Sequence, residues 1–232
     1  MTTKLFWNDP YRTELDTRIA AVRGDEVAVE ETIFYAFSGG QESDRGTLGN
    51  HAVLSARKAN LDIFYTLESG HGLQFGDPVR MTIDGERRYR LMRLHFAAEI
   101  VLELVCRCDA TATKIGAHIA ADKARIDFRT DTGIARLLPE IQRQAMEIVD
   151  ADREIISTYS DRAAQRRYWE IPGFARVECG GTHPRRTAEV GAIELKRRNP
   201  GKGKERIEIR LAESDRLEPE IPLVSCVTDD SG

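Results

Sequence analysis

Polar and apolar residues alternate with a period of two over much of the first 84 residues, which is typical of half-buried β-strands. The alternating stretches are 17–23, 26–29, 52–56, 61–67 and 79–83. Gly24-Asp25 separates the first two and has the composition of a hairpin turn. These short stretches predict a small barrel or a strongly bent sheet. Residues 38–46, SGGQESDRG, interrupt them as a loop whose glycines allow backbone to come close to a ligand.

After Gly85 the apolar residues recur at helical spacing. Residues 87–106 are good helix formers, with an apolar face made by Leu91, Leu94, Ala98, Leu102 and Val105. A second helix is predicted over 138–153, with Pro139 in its first turn, and a short one over 162–169. Strands are predicted over 123–128, 155–159, 191–197 and 204–211, and residues 176–178 lead into the segment CGGTH.

This order of elements predicts an α+β fold in two domains. A small β-barrel-like domain covers residues 1–86. Residues 87–232 form a domain of helices packed on an antiparallel sheet.

Composition narrows the class of protein. The chain has 232 residues, 41% hydrophobic and 31% charged, as in globular proteins with a sizeable core. The polar start of the sequence does not have the pattern of a signal peptide. Glu99 and Glu103 interrupt the longest apolar run, which is far shorter than the roughly 20 residues that span a bilayer. We therefore expect a cytoplasmic protein with no membrane segment.

The net charge of −4 argues against a protein that coats nucleic acid over its whole surface. A local basic patch nevertheless lies near the C-terminus, which we call the basic tip: Lys196, Arg197, Arg198, Lys202 and Lys204. Such a tip can hold phosphates, which position a nucleic acid without reading its sequence, or it can be a solvated hairpin end. The residues alone leave both interpretations open.

Two pairs of residues have the spacing of a metal half-site. His95 and Glu99 are four residues apart on the predicted long helix, so their side chains lie on one face. Cys179 and His183 are also four residues apart, but Gly180-Gly181 between them indicates a tight loop. One thiolate, two imidazoles and one carboxylate form a donor set that zinc accepts.

Each pair also has a simpler interpretation. A histidine on an amphipathic helix is more often a core or surface residue than a ligand, and Glu99 could form an ion pair with Arg93 or Arg107. The CGGTH segment is more specific, because a Gly-Gly pair between Cys and His has little structural reason to exist. It could still be an ordinary glycine turn.

The segment CGGTH, with EIPGFARVE before it and RTAEVGAIELKR after it, resembles the second metal half-site of the alanyl-tRNA synthetase editing domain. It also resembles the free-standing relatives of that domain, the AlaX family, which is related to the second domain of threonyl-tRNA synthetase. NDPY, ETIFYAFSGGQESDRG, the helix with His95 and GAHIAADKARIDF match the family in order and spacing, so the resemblance covers nearly the whole chain. The β-rich first part is similar to the longer AlaX form, in which a small barrel precedes the editing domain.

The resemblance implies a hydrolase that acts in trans on the aminoacyl ester of mischarged tRNA(Ala), either Ser-tRNA(Ala) or Gly-tRNA(Ala). The implied cofactor is Zn²⁺, held by His95, Glu99, Cys179 and His183, and the implied partner is the acceptor end of tRNA(Ala). This sequence departs from the family at Glu99, where the family has histidine in HxxxH, and at Ser38, where the family has GGGQ. A carboxylate ligand makes the site more negative and the ion less Lewis-acidic.

Catalysis is expected around His95, with the backbone donors of Gly180 and Gly181 as an oxyanion hole. A site that spares alanine has to hydrogen-bond the serine hydroxyl and leave its partner unpaired when alanine enters.

The resemblance to the AlaX family also implies which residues distinguish a seryl from an alanyl ester. Thr32, in ETIFY, matches a threonine near the site of the longer AlaX form, and Gln41 follows Gly39 and Gly40 in the glycine motif. Thr32 could equally be a β-branched residue that fills a strand, and Gln41 could cap a loop.

Two other functions compete with the hydrolase. One is a catalytically weak or inactive module of the same fold that binds tRNA, which tightly bound zinc would argue against. The other, a zinc peptidase, is disfavoured because the sequence lacks HExxH with its glutamate base.

Overall fold

The structure is a computed structural model that describes residues 1–201 and 203–212. The N-terminal region, residues 1–84, is built from strands and one short 3-10 helix, Leu5–Trp7. Its strands are β1 (Thr3–Lys4), β2 (Glu14–Arg23), β3 (Glu26–Val29), β4 (Glu31–Thr32), β5 (Gly46–Leu48), β6 (His51–Ala52), β7 (Ser55–Ala59), β8 (Asp62–Thr66) and β9 (Pro78–Ile83).

Seven of these strands form one antiparallel sheet in the order β6-β5-β9-β2-β3-β8-β7. The sheet is curled as a half-barrel around a buried apolar cluster that includes Phe6, Ile19, Val29, Tyr65 and Met81. The two remaining strands, β1 and β4, pair in parallel. The predicted bent sheet is therefore confirmed.

The C-terminal region, residues 85–212, contains both helices, α1 (Gly85–Cys108) and α2 (Leu138–Asp150). Its strands are β10 (Thr113–Ile119), β11 (Ala124–Arg129), β12 (Ile156–Asp161), β13 (Arg166–Ile171), β14 (Ala175–Glu178), β15 (Ile193–Gly201) and β16 (Lys204–Leu211), and Thr187–Val190 is a 3-10 helix. The strands form two antiparallel sheets, β10-β11-β16-β15 and β12-β13-β14. The α+β class predicted from the sequence is confirmed.

Helix α1 lies in the centre of the C-terminal region. Its N-cap is Asp84, whose carboxylate accepts a hydrogen bond from the backbone N–H of Arg87 at 2.9 Å. All residues from Leu94 to Val101 are buried, polar ones included. The helix therefore carries its two candidate metal ligands into the interior rather than to the surface.

The prediction of a short helix over 162–169 is wrong. Residues 162–165 form a turn in which Gln165 has a positive φ of 52°, and β13 starts at Arg166. Arg167, Trp169 and Ile171 are buried while the residues between them are less so, which is the two-residue period of a strand. The AAQRR composition favours a helix locally, but the sheet pairing of β13 with both β12 and β14 overrides it.

Two apolar cores correspond to the two regions. One gathers buried residues between Phe6 and Ile83, and the other gathers buried residues between Leu91 and Ile209. On this separation we propose that the chain divides into domains at about residue 86. No helix within the described ranges has the length and apolar character needed to cross a membrane.

Candidate metal centre

Three side chains that are distant in sequence meet inside the C-terminal region. Nε2 of His95 lies 3.4 Å from Sγ of Cys179. The ligand atoms of His95, Cys179 and His183 all lie within 4.8 Å of one another. His95 extends from the buried middle of α1, and the other two lie in the loop that follows β14. The structure thus brings the helix and the glycine loop to one point.

Both histidines are held through Nδ1, which leaves Nε2 of each ring as the nitrogen available to a ligand. Nδ1 of His95 lies 2.6 Å from Oε1 of Gln41, and Nδ1 of His183 lies 3.1 Å from Oγ of Ser157. Nε2 of His183 is buried and has no hydrogen-bond partner among the described residues. An outer partner on one ring nitrogen and an open second nitrogen is the usual arrangement of a metal-binding histidine.

Glu99 lies beside this cluster. Its Oε1 is 3.4 Å from Nε2 of His95 and 3.9 Å from Sγ of Cys179. Its Oε2 accepts a hydrogen bond from Nε1 of Trp169 at 3.0 Å. The alternative ion pairs with Arg93 and Arg107 do not form: Arg93 donates to the carbonyl of Val190, and Arg107 to that of Phe174.

Electrostatics favour the metal-binding form of the thiol. Burial raises the pKa of Cys179, but the nearby His95 and His183 outweigh burial and lower that pKa to about 6. Burial also opposes the charged form of His95, yet Cys179 and Glu99 raise its pKa to about 10. A metal that binds here would therefore find the thiolate ready and would displace a proton from His95.

These residues fit a zinc ion. Tetrahedral zinc with its usual bond lengths places a nitrogen and a sulfur ligand about 3.6 Å apart, close to the 3.4 Å between His95 and Cys179. The buried, unpartnered Nε2 of His183 is explained by the same ion. Glu99 is not part of the group whose ligand atoms all meet; its Oε1 lies near His95 and Cys179, and Trp169 holds its Oε2.

The two glycines of CGGTH have different surroundings. A Cβ on Gly181 would lie 1.9 Å from Cε1 of His95, so only glycine fits there. The carbonyl of Gly180 accepts a hydrogen bond from Nε1 of Trp7 at 3.0 Å, which ties the loop to the N-terminal region. The backbone N–H groups of both glycines have no acceptor within residues 1–201 and 203–212, so they can donate to a ligand.

The glycine motif of the N-terminal region serves to position Gln41. Ser38 and Gln41 close a tight turn by two backbone hydrogen bonds, and Gly39 and Gly40 have positive φ values of 61° and 91°. A Cβ on Gly40 would lie 2.7 Å from the carbonyl oxygen of Ala117 in β10. Gln41 is fully buried, and besides His95 it contacts both the backbone N–H and the hydroxyl of Thr182.

Thr32 is fully buried in the N-terminal core. Its Oγ1 lies 2.6 Å from the hydroxyl of Tyr65 and accepts a hydrogen bond from the backbone N–H of Phe34 at 2.9 Å. None of its hydrogen bonds to other described residues joins it to the His95 cluster.

The basic tip is only partly free of carboxylates. Arg197 forms a two-point ion pair with Glu205, and Arg198 lies 3.4 Å from Glu208. Lys196 and Lys204 are exposed and form no ion pair with any described residue. Lys202 lies outside the described residues.

Several residues of the site were missed from the sequence. Ser157, Trp169 and Thr182 hold His183, Glu99 and Gln41 respectively, and Trp7 holds the glycine loop. The TH of CGGTH could have drawn attention to Thr182. The others belong to no motif, because their contacts depend on how the sheets pack against α1.

Comparisons with known proteins agree with this architecture. Residues 174–208, which include the glycine loop, match the family model described as the threonyl and alanyl tRNA synthetase second additional domain. The chain is 30% identical over 215 residues to the alanyl-tRNA editing protein AlaX-M of Pyrococcus horikoshii, covering 91% of this chain and 98% of that relative. It is 32% identical over 233 residues to AlaX-M of Saccharolobus solfataricus, covering 89% and 98%. It is also 31% identical over 236 residues to the alanine–tRNA ligase of Methanococcus aeolicus, of which it covers 25%.

Proposed function

Because the chain belongs to the AlaX family of alanyl-tRNA editing proteins, we propose that it hydrolyses the aminoacyl ester of mischarged tRNA(Ala) in trans. The substrates of this proposal are Ser-tRNA(Ala) and Gly-tRNA(Ala), and the place of action is the cytoplasm, where tRNA is charged. The observation that carries the proposal is the convergence of His95, Cys179 and His183 on one point. Hydrolysis of an ester needs a positioned water and a group that stabilises the oxyanion.

In this proposal His95, Cys179, His183 and Glu99 hold a zinc ion. When bound, zinc polarises a carbonyl or lowers the pKa of a water molecule. Gln41 fixes the orientation of His95, and Ser157 fixes that of His183. The free N–H groups of Gly180 and Gly181 are the donors that would face the developing oxyanion.

Substrate selection is assigned to the N-terminal region. Gln41 lies at the metal centre itself, while Thr32 acts indirectly, because its hydroxyl fixes the backbone at Phe34. Tyr35 follows, and its hydroxyl donates to the carbonyl of Ser38 at 3.0 Å, at the start of the glycine turn. A change at Thr32 would therefore reach the site through this turn. Lys196 and Lys204 of the basic tip, which form no ion pair with the described residues, would contact acceptor-stem phosphates.

A deacylation assay with Ser-, Gly- and Ala-charged tRNA(Ala) tests the proposal. We expect release of serine or glycine and little attack on the alanyl ester. Cys179→Ala should lower the rate by roughly 100-fold or more, since loss of a ligand should exceed the effect of an outer partner. Cys106→Ala is the matched control, because that free cysteine is exposed and outside the site. Equal rates for the two variants would refute the assignment.

The second candidate function is a weakly active or inactive module that binds tRNA, and Glu99 is the observation that favours it. A carboxylate in place of an imidazole makes the ion a poorer Lewis acid. Zinc content decides between the two functions: one tightly bound equivalent per chain supports the hydrolase, and intact tRNA binding without zinc supports the module. Glu99→His then measures the effect of the carboxylate on the deacylation rate. A higher rate in this variant would identify the carboxylate as the cause of weak activity.

A further inference from the structure

A pocket lies against the His183 side of the metal centre. Its volume is about 120 Å³, below the ~300–1,000 Å³ of sites that enclose a whole small molecule. Three stretches of chain line it: the N-terminal segment at Trp7 and Asn8, strands β12 and β13 at Ser157 and Arg167, and the loop from Gly181 to Arg185. The pocket therefore has room for one chemical group next to the candidate site.

The buried side of this pocket carries a cation, Arg167, that has no carboxylate partner within residues 1–201 and 203–212. Arg167 is only 6% exposed. Nη2 of its guanidinium donates to the carbonyls of Trp7 and Ser157, both at 3.1 Å. The guanidinium also lies over the ring of Tyr159, at 4.6 Å from its centroid. Carbonyls and rings fix the position of the guanidinium but leave its charge uncompensated.

A buried cation without a carboxylate partner is costly to fold around. Burial lowers the pKa of Arg167, as expected for such a group, although an arginine stays charged at neutral pH. The packing around Arg167 does not by itself explain an arginine, because the carbonyls of Trp7 and Ser157 bind only Nη2 and no carboxylate among the described residues offsets the charge. An anionic ligand would compensate the charge, and arginine is the residue best shaped for a phosphate or carboxylate.

A second arginine lines the exposed side of the same pocket. The side chain of Arg185 is 68% exposed, lies over the ring of Tyr11 and forms a surface ion pair with Asp9 at 3.4 Å. The buried Arg167 repels the α-ammonium group of an aminoacyl ester, and Arg185 adds to this repulsion only in part because Asp9 lies beside it. An anionic group of the substrate therefore fits this pocket better than its amino acid does.

We propose that the pocket binds the 5′-phosphate of the 3′-terminal nucleotide of the substrate tRNA, through Arg167 and Arg185. This inference rests on the proposed function. The 5′-phosphate and the esterified hydroxyl belong to the same nucleotide, so a phosphate held beside His183 keeps the ester within reach of the metal centre. Arg167 is thus a substrate-binding residue that sets where the terminal nucleotide lies.

The decisive experiment combines a protein change with a substrate change. Seryl-tRNA(Ala) is made with a neutral methylphosphonate as the last linkage, and kcat and KM are measured for both substrates. For the unaltered chain, kcat/KM should fall about 10- to 100-fold on loss of the phosphate charge, as for a lost charge-assisted hydrogen bond. Arg167→Gln should lower kcat/KM on the normal substrate by a similar factor, mainly through KM, and should leave only the smaller methylphosphonate effect that Arg185 accounts for.

Arg166→Gln is the matched control, because Arg166 is the neighbouring residue and its side chain is exposed. It should respond to the methylphosphonate like the unaltered chain. If Arg167→Gln lowers kcat and the methylphosphonate effect remains undiminished, Arg167 acts at the reacting carbonyl and the phosphate assignment is overturned.

Binding without chemistry separates this inference from the proposed function. The zinc-loaded chain is titrated with 5′-AMP and with adenosine by calorimetry. Tighter binding of 5′-AMP, with a difference that Arg167→Gln reduces and Arg166→Gln preserves, supports the phosphate site even if no ester is hydrolysed. Equal binding of the two compounds by a chain that does hydrolyse Ser-tRNA(Ala) overturns the phosphate site and leaves the hydrolase intact.

Arg167→Gln could fail to fold, which circular dichroism would reveal. Arg185→Gln then takes its place, because that side chain is exposed, and Arg167→Lys retains the charge. The preference for 5′-AMP should shrink several-fold in Arg185→Gln and persist in part in Arg167→Lys. An unchanged preference in Arg185→Gln would overturn the two-arginine site.

Discussion

Gly181 shows how one missing side chain makes room for a candidate ligand. Its ideal Cβ would lie 1.9 Å from the imidazole of His95, whereas the ideal Cβ of Gly180 has its nearest neighbour, a ring carbon of Trp7, at 4.0 Å. Gly181→Ala should displace His95, destabilise the fold by about 1–3 kcal/mol, as overpacking does, and weaken zinc binding. Gly180→Ala should change neither property by a comparable amount. Thermal unfolding and bound zinc per chain measure both, and equal behaviour of the two variants would contradict this account.

Gln41 should matter for the metal although it is not a ligand. Its Oε1 accepts from Nδ1 of His95 at 2.6 Å, which fixes Nε2 as the nitrogen open to zinc. Gln41→Leu removes this acceptor and should lower zinc affinity by about 10- to 100-fold, as for other outer partners of metal-bound histidines. A chelator competition assay measures the loss.

Two further variants control for simple loss of packing in that assay. Gln41→Glu keeps an acceptor for His95 and should retain more affinity than Gln41→Leu. Gln74→Leu, at an exposed position, should have no effect. If Gln41→Leu binds zinc like the unaltered chain, the orientation of His95 does not depend on Gln41.

The candidate ligands could be found from the sequence because their signals are local. His95 and Glu99 are one helical turn apart, and Cys179 and His183 flank a Gly-Gly pair. The groups that hold them are not local: Trp169 reaches Glu99 from β13 across 70 positions of sequence. Such contacts form only when the sheets pack on α1, so the spacing of residues in the sequence cannot predict them.

The end of α1 is stabilised by one carboxylate and three threonines. Asp109 accepts hydrogen bonds from the hydroxyls of Thr111, Thr130 and Thr132, which join the helix end to the segment after β11. These donors, led by Thr111, hold the pKa of Asp109 well below its usual range. Because the folded pKa is lowered, this stabilisation is complete above the unfolded pKa of about 3.9 and is lost as the pH falls below it.

Asp109→Asn should therefore destabilise the protein at pH 7 and progressively less as the pH falls from about 5 towards 2. Urea unfolding at several pH values measures the difference from the unaltered chain. Asp131→Asn serves as the control, since that exposed side chain accepts none of these hydrogen bonds. A destabilisation by Asp109→Asn that does not change with pH would mean that the carboxylate charge is not what the threonines stabilise.

Strand β13 marks the limit of element prediction from this sequence. Its residues have the composition of a helix as well as the alternation of a strand, and only pairing on both sides settles which forms. The formation of a strand here matters for the candidate site, because β13 places Trp169 beside Glu99 and Arg167 at the pocket. A short helix at 162–169 would have placed neither side chain there.

The two regions of the chain are joined by a buried ion pair that the sequence did not predict. Arg88, in the first turns of α1, forms a two-point ion pair with Asp44 of the N-terminal loop, and the side chains are 1% and 0% exposed. Arg88 also donates to the carbonyls of Ile33 and Pro10. Asp44 belongs to the same loop as Gln41, so the pair connects the packing of the regions to the candidate metal centre. Arg88 and Asp44 are 44 positions apart, and no pattern in the sequence predicts that they form an ion pair.

Removing one partner of this pair should therefore affect both stability and zinc binding. Arg88→Met leaves Asp44 buried without its counter-charge and should destabilise the chain by about 3–5 kcal/mol. Arg80→Met is the matched control, since Arg80 pairs with Glu14 on the surface, where an ion pair contributes about 1 kcal/mol or less. Urea unfolding followed by tryptophan fluorescence measures the stability of both variants, and chelator competition tests whether zinc affinity falls with Arg88→Met alone.

The double variant Arg88→Met, Asp44→Leu should be less destabilised than the sum of the single changes, because it leaves no unpaired charge. Additive losses, or equal losses for Arg88→Met and Arg80→Met, would show that this pair does not hold the two regions together.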